Sequence, residues 1–268
     1  MSFQPVVPLP GLGGWRFLQR TIDTQQETFV RAPRISRDIA YFEAEIGKVR
    51  SAEALVGDRR LLTVALGAFG LQDDIQNRFF IRKVLEEGTL RPDALANKLT
   101  DPRYKDMAAA FGFGDFDVPR TALSDFGAEI VARYREQEFE RAVGAQNESM
   151  RLALFAKREL AALAGSQESD NARWFRVMGT PPLRRVFETA LGMPAAFGQL
   201  DIDRQLDEFR DRSRRVLGSA EVADFASEGA RERLIQQFLL RGQDSTGQVP
   251  GPASIALTLL QNAAAARG

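Results

Sequence analysis

Apolar residues in this chain recur three and four positions apart and almost nowhere two apart. That spacing lines one face of an α-helix, whereas a half-buried strand alternates with period two. Trp15, Leu18, Ile22, Gln25 and Phe29 mark one such face, closed by Pro33. Ile39, Phe42, Ile46 and Val49 mark the next, with Ser36 as its expected N-cap. The predicted fold class is all-α.

Within that pattern one phrase occurs twice. Arg59-Arg60-Leu61-Leu62-Thr63-Val64-Ala65-Leu66-Gly67 returns as Arg184-Arg185-Val186-Phe187-Glu188-Thr189-Ala190-Leu191-Gly192, identical at five of nine positions. Each copy is followed by a Phe-Gly pair, an acidic turn and a helix ending in Val-Leu. The expected architecture is therefore a pair of pseudo-repeated helical units. One long helix over 119–164, kinked near Gly144, is expected to join them, with Leu123, Phe126, Ile130 and Tyr134 on its buried face. Asp101 with Pro102, and Thr180 with Pro181, read as cap and first residue of two further helices, and Gly192 as the stop of the second. The remaining helices fall near 76–87, 92–99, 202–216 and 220–241. Residues 1–14 read as a flexible lead, 15–241 as a single helical domain, and 242–268 as a polar linker followed by a C-terminal helix over 253–266.

Composition narrows the chemistry. Histidine and cysteine are both absent, which removes the commonest metal ligand, the side chain that titrates near neutrality, and thiolate chemistry. A Ser nucleophile has no imidazole to activate it. No catalytic residue, metal site or cofactor is expected, and the protein reads as a non-enzyme. Lys and Arg (36) balance Asp and Glu (36), so the chain offers no net field for nucleic acid. No run of about 18 apolar residues is present to span a membrane. The start, rich in Pro and Gly, is not a secretory signal, so a cytoplasmic location is expected.

Few groups stand out as candidate sites. Gly11-Leu12-Gly13-Gly14 lacks the strand and the Lys-Ser/Thr pair of a phosphate loop. Asp115 and Asp117 either offer two carboxylates to a hard cation or mark a helix-entry turn. Asp201 and Asp203 fit an N-cap and a first-turn acid. The repeated pairs Arg59/Arg60 and Arg184/Arg185 are candidates for a common anion site between the two units, or for ordinary ion pairs. Ile255, Leu259 and Leu260 make the last helix apolar, as a helix docking on its own body or in a protein partner's groove would be.

Several spaced blocks also carry a family likeness. Arg37-Asp38-Ile39-Ala40-Tyr41-Phe42, Ala65-Leu66 with Ala68-Phe69-Gly70-Leu71, Arg82-Lys83-Val84-Leu85-Glu86, Asp101-Pro102-Arg103-Tyr104 and Thr189-Ala190-Leu191-Gly192-Met193-Pro194 occur in the order that resembles the domain-of-unknown-function family numbered 1217. The likeness extends over most of residues 15–241. Proteins of that family are encoded in flagellar gene clusters of alphaproteobacteria. The resemblance implies an accessory role in flagellar assembly or motility, exerted through protein contacts, with export alongside the flagellum as the alternative location. It brings no catalytic residue with it.

Overall fold

Prolines, glycines and short polar caps cut the helical periodicity into segments of between 4 and 20 residues. The computed structural model of the chain describes residues 3–246. Helices α1 (Gly11–Val30) and α2 (Pro33–Glu45) come first, then α3 (Ala52–Gly57) and α4 (Arg59–Ala68). They are followed by α5 (Arg78–Glu87), α6 (Leu95–Lys98) and α7 (Pro102–Phe111). The centre of the chain forms α8 (Phe126–Gly144) and α9 (Glu148–Ala164). The rest forms α10 (Asp170–Gly179), α11 (Pro181–Leu191), α12 (Ile202–Leu217) and α13 (Glu228–Thr246), and no strand occurs among the described residues.

Local chemistry explains most boundaries. Ser51, Asp58, Asp101, Asn147, Ser169 and Asp201 each accept a hydrogen bond from a first-turn amide, satisfying donors that the helix itself leaves free. Pro33, Pro102 and Pro181 begin their helices, where the missing N–H costs nothing. Gly192 ends α11 in the left-handed region at φ +64°, a conformation that a Cβ disfavours.

The expected long helix is in fact two. α8 stops at Gly144, and Asn147 caps α9 by accepting from the Met150 amide at 3.1 Å. Arg158 Nε lies 2.9 Å from Glu140 Oε1. Eighteen residues of continuous helix would separate these groups by about 27 Å, so the two segments fold back on each other. The hairpin, rather than a rod, joins the halves of the chain.

Other boundaries move as well. The lead expected over 1–14 is already helical from Gly11, and residues 5 and 6 are tied down: the Val6 amide donates to Gln25 Oε1 at 2.6 Å, and the Gln146 side chain donates to the Pro5 carbonyl. Helix α2 begins at Pro33 with Ala32 before it, three residues ahead of Ser36. Leu123 lies outside α8 and is exposed. The stretch expected as a linker from residue 242 is helical as far as Thr246, where α13 ends.

One core runs through the molecule. Helix α4 packs on α2, α3 and α8, whereas α11 packs on α9, α10 and α13. On the second side Trp174, Phe187, Phe209, Phe225 and Phe197 form a chain of edge-on and stacked rings. Helix α1 bridges both sides by touching α8, α9 and α13, and its Trp15 indole donates to Glu232 at 3.0 Å.

Candidate functional site

Because α8 and α9 fold back together, their charged faces meet α7 and α10 along a cleft of about 530 Å³. A second cleft of about 360 Å³ adjoins it through Phe69, Arg103, Gln137, Phe155 and Thr180. The walls are a mesh of ion pairs. Arg176 of α10 lies 3.3 Å from Asp106 of α7 and 3.1 Å from Glu168. Arg133 lies 3.0 Å from Glu129 one turn earlier in α8, with its guanidinium over the Phe69 ring. Arg103 is clamped to Asp101 at 2.6 Å and also donates to the Gly70 carbonyl.

The Glu140–Arg158 pair lies between the two clefts, Arg158 lining the first and Glu140 the second. Glu140 is 7% exposed, and burial pushes its carboxyl upward against the pull of Arg158. Against the lowering effect of burial, Glu140, Glu159 and Glu136 together hold the Arg158 guanidinium above its usual value. Asp106 is raised too, chiefly by burial. A second buried carboxylate, Glu138, lies outside the cleft and receives Arg34 at 2.8 Å and Arg141 at 2.7 Å. Beside it the fully buried Tyr134 hydroxyl has no hydrogen-bond partner among the described residues, and its pKa is driven up by desolvation. The charged lining is ion-paired within itself and holds no imidazole or thiol.

The residues singled out in the sequence lie elsewhere. Arg59, Arg60, Arg184 and Arg185 line neither cleft. Arg60 stacks on the Tyr41 ring, 3.9 Å from its centroid, and donates to the Arg37 carbonyl at 3.1 Å. Arg184 is engaged by Glu188 at 2.7 Å and by Gln205 at 2.9 Å. Arg59 and Arg185 are exposed. Asp115 works as a clamp between loops: its carboxylate accepts from the amides of Thr89 and Leu90 and from the Thr89 hydroxyl, at 2.6, 3.0 and 2.8 Å. Asp201 caps α12, as its position in the sequence implies. Ile255, Leu259 and Leu260 lie outside the described residues.

Sequence reasoning missed the cleft. The one hint was the Glu129/Arg133 spacing, which reads equally well as support for a single helix.

Fold and cleft together define an all-helical protein with an ion-paired polar groove. The chain belongs to the family described as "Protein of unknown function (DUF1217)", whose sequence pattern matches residues 68–228, more than half of its length. A crystal structure of a protein from Agrobacterium tumefaciens is similar at 24% identity with a TM-score of 0.72, covering 91% of this chain and all of that one. That likeness concerns the fold. No curated protein matches the chain.

Proposed function

We propose that the protein is a non-enzymatic accessory factor of flagellar assembly or motility, acting in the cytoplasm through contact with a protein partner. The flagellar setting rests on the family resemblance and its gene context. The observation that carries the contact reading is an exposed apolar edge. Asp115 ties the loop after α5 to the loop after α7, and these loops present Leu90 at 70%, Phe116 at 52% and Val118 at 68% exposure. Large apolar side chains gathered on two braced loops are characteristic of interaction surfaces. The apolar group Ile255, Leu259 and Leu260 would add a second contact. An anion-binding regulatory module built on the paired arginines is the alternative, and it draws less support because Arg60 and Arg184 are already engaged.

Affinity purification from flagellated cells tests the reading. The full chain is expected to retain flagellar components. The double variant L90D/V118D, at two exposed positions, is expected to lose them while melting at the same temperature. Unchanged capture by that variant, together with normal swimming in a strain lacking the protein, would overturn it.

A further inference from the structure

Before the chain enters α1 at Gly11, residues 3–8 run back along that helix as a strap. Burial alternates along it with period two: Phe3, Pro5 and Val7 turn inward, whereas Gln4, Val6 and Pro8 are exposed. Pro5 is buried, and Phe3 and Val7 pack against the core. This is the alternation of an extended chain rather than of a helix. The strap carries no charged residue.

The body holds the strap by its main chain. The Val6 amide donates to Gln25 Oε1 at 2.6 Å, and Gln25 Nε2 donates back to the Val6 carbonyl at 3.2 Å. From the turn between α8 and α9, the Gln146 side chain donates to the Pro5 carbonyl. Gln25 is itself fixed in place: its Nε2 also donates to Thr21 Oγ1 at 2.8 Å, and that hydroxyl donates to the Phe17 carbonyl. The polar member of the α1 stripe therefore presents one acceptor and one donor, matched to the amide and carbonyl of a single extended residue.

Side chains that pair with backbone groups accept many extended sequences, and the inward positions select among them. We propose that the groove across α1 and the α8–α9 turn is a docking site for an extended segment of a partner protein, with the pattern apolar–x–Pro–x–apolar. Residues 3–7, which fill the groove in cis, are an internal copy of that ligand and define the pattern. Tethered to α1 through Leu9 and Pro10, the strap competes at an effective concentration on the order of millimolar. The groove thus yields to a partner segment already held close to the protein. It is built from other elements than the apolar edge at Leu90 and Phe116, and either site can fail alone.

Fluorescence anisotropy of the labelled peptide acetyl-Phe-Gln-Pro-Val-Val-Pro-amide against the full chain tests the proposal. Val6→Pro in the protein removes the amide that donates to Gln25 and loosens the strap, while the peptide keeps its own. Binding to that variant should be about three- to tenfold tighter than to the parent, the worth of one neutral hydrogen bond. Phe3→Ala empties one inward seat without touching a hydrogen bond, and should give a gain in the same direction. Adding Gln25→Ala to either variant should return the affinity to the parent's level or below, as should a peptide with proline at its fourth position. Thermal melts confirm which variants fold. Equal binding to the parent and to the loosened variants, no binding to any of them, or a gain that survives Gln25→Ala would overturn the proposal.

Discussion

In α4, Leu61, Leu62, Val64, Ala65, Leu66 and Gly67 are all buried, because α2, α3 and α8 surround the helix. In α11, where the same phrase recurs, Val186, Phe187, Ala190 and Leu191 are buried, but Thr189 stands half-exposed in the place of Val64. The starts differ too. Asp58 caps α4 by accepting from the Arg60 and Leu61 amides, whereas the Thr180 side chain accepts nothing and α11 relies on Pro181. At the other end Gly67 lies inside α4, where an added Cβ would come within 2.7 Å of the Tyr134 ring. Gly192 lies just beyond α11, in the left-handed region. One glycine is required for lack of bulk and the other for backbone freedom. The same letters therefore carry different physics, and the copies share order more than environment.

Substitutions at matched positions are the way to break this contrast. The largest effect is expected from Gly67→Ala, since the Tyr134 ring is fully buried and has nowhere to move; overpacking of this kind costs about 1–3 kcal/mol. At Gly192→Ala the added Cβ meets only the far end of the Arg241 side chain, leaving the left-handed backbone penalty of about 1–2 kcal/mol. Urea melts of both variants check this, and a larger loss at Gly192 would show that α8 yields where α4 presses on it. Next in size is the exchange of the residues that differ. Val64→Thr buries a hydroxyl and should cost about 1–2 kcal/mol, part of it recovered by bonding to the carbonyl one turn back. Thr189→Val should stay within about 0.5 kcal/mol of the parent. Equal effects would mean that the two faces are buried alike.

The smallest effect concerns the caps, and pH sharpens it. Asp58→Ala should cost about 1 kcal/mol at neutral pH, whereas Thr180→Ala, which removes no cap bond, should cost a few tenths at most, roughly. Against the upward push of burial, the Tyr41 hydroxyl and the Leu61 and Arg60 amides hold the Asp58 carboxyl below its usual range. Its stabilisation is therefore complete above the unfolded pKa and is lost as pH falls through the lower folded value. The gap between parent and Asp58→Ala should narrow once the pH drops below about 4, while the Thr180→Ala gap stays flat. Melts repeated from pH 7 down to pH 3 read both.

What was legible followed from local rules. Trp15, Leu18 and Phe29, Ile39 and Phe42, the start of α7 and the bounds of α11 stand where spacing, Asp-Pro and Pro–Gly punctuation put them. Even Gln25, the polar member of the first stripe, is buried, because it holds the Val6 backbone. The place of the break between α8 and α9 was legible as a kink near Gly144, but not that the chain reverses there. A lone glycine is tolerated within a helix, and the capping role of Asn147 is visible only once the chain is seen to turn. The cleft was hidden for the same reason: Arg158 and Glu140 are neighbours only across the hairpin, and nothing in their spacing pairs them. Outside the cleft, Glu138 carried a signal that went unread: it follows Tyr134 by four residues on the buried stripe, a carboxylate where the pattern asks for an apolar residue.

The bond from Trp15 to Glu232 spans 217 residues, and that span has a consequence for synthesis. The indole, fully buried in the finished protein, emerges from the ribosome long before its acceptor exists. At about 5–20 residues per second the wait is roughly ten to forty seconds. Until α8, α9 and then α13 have followed it, the tryptophan and leucine face of α1 stays incompletely covered, which leaves the nascent chain open to aggregation through the segment that α13 completes.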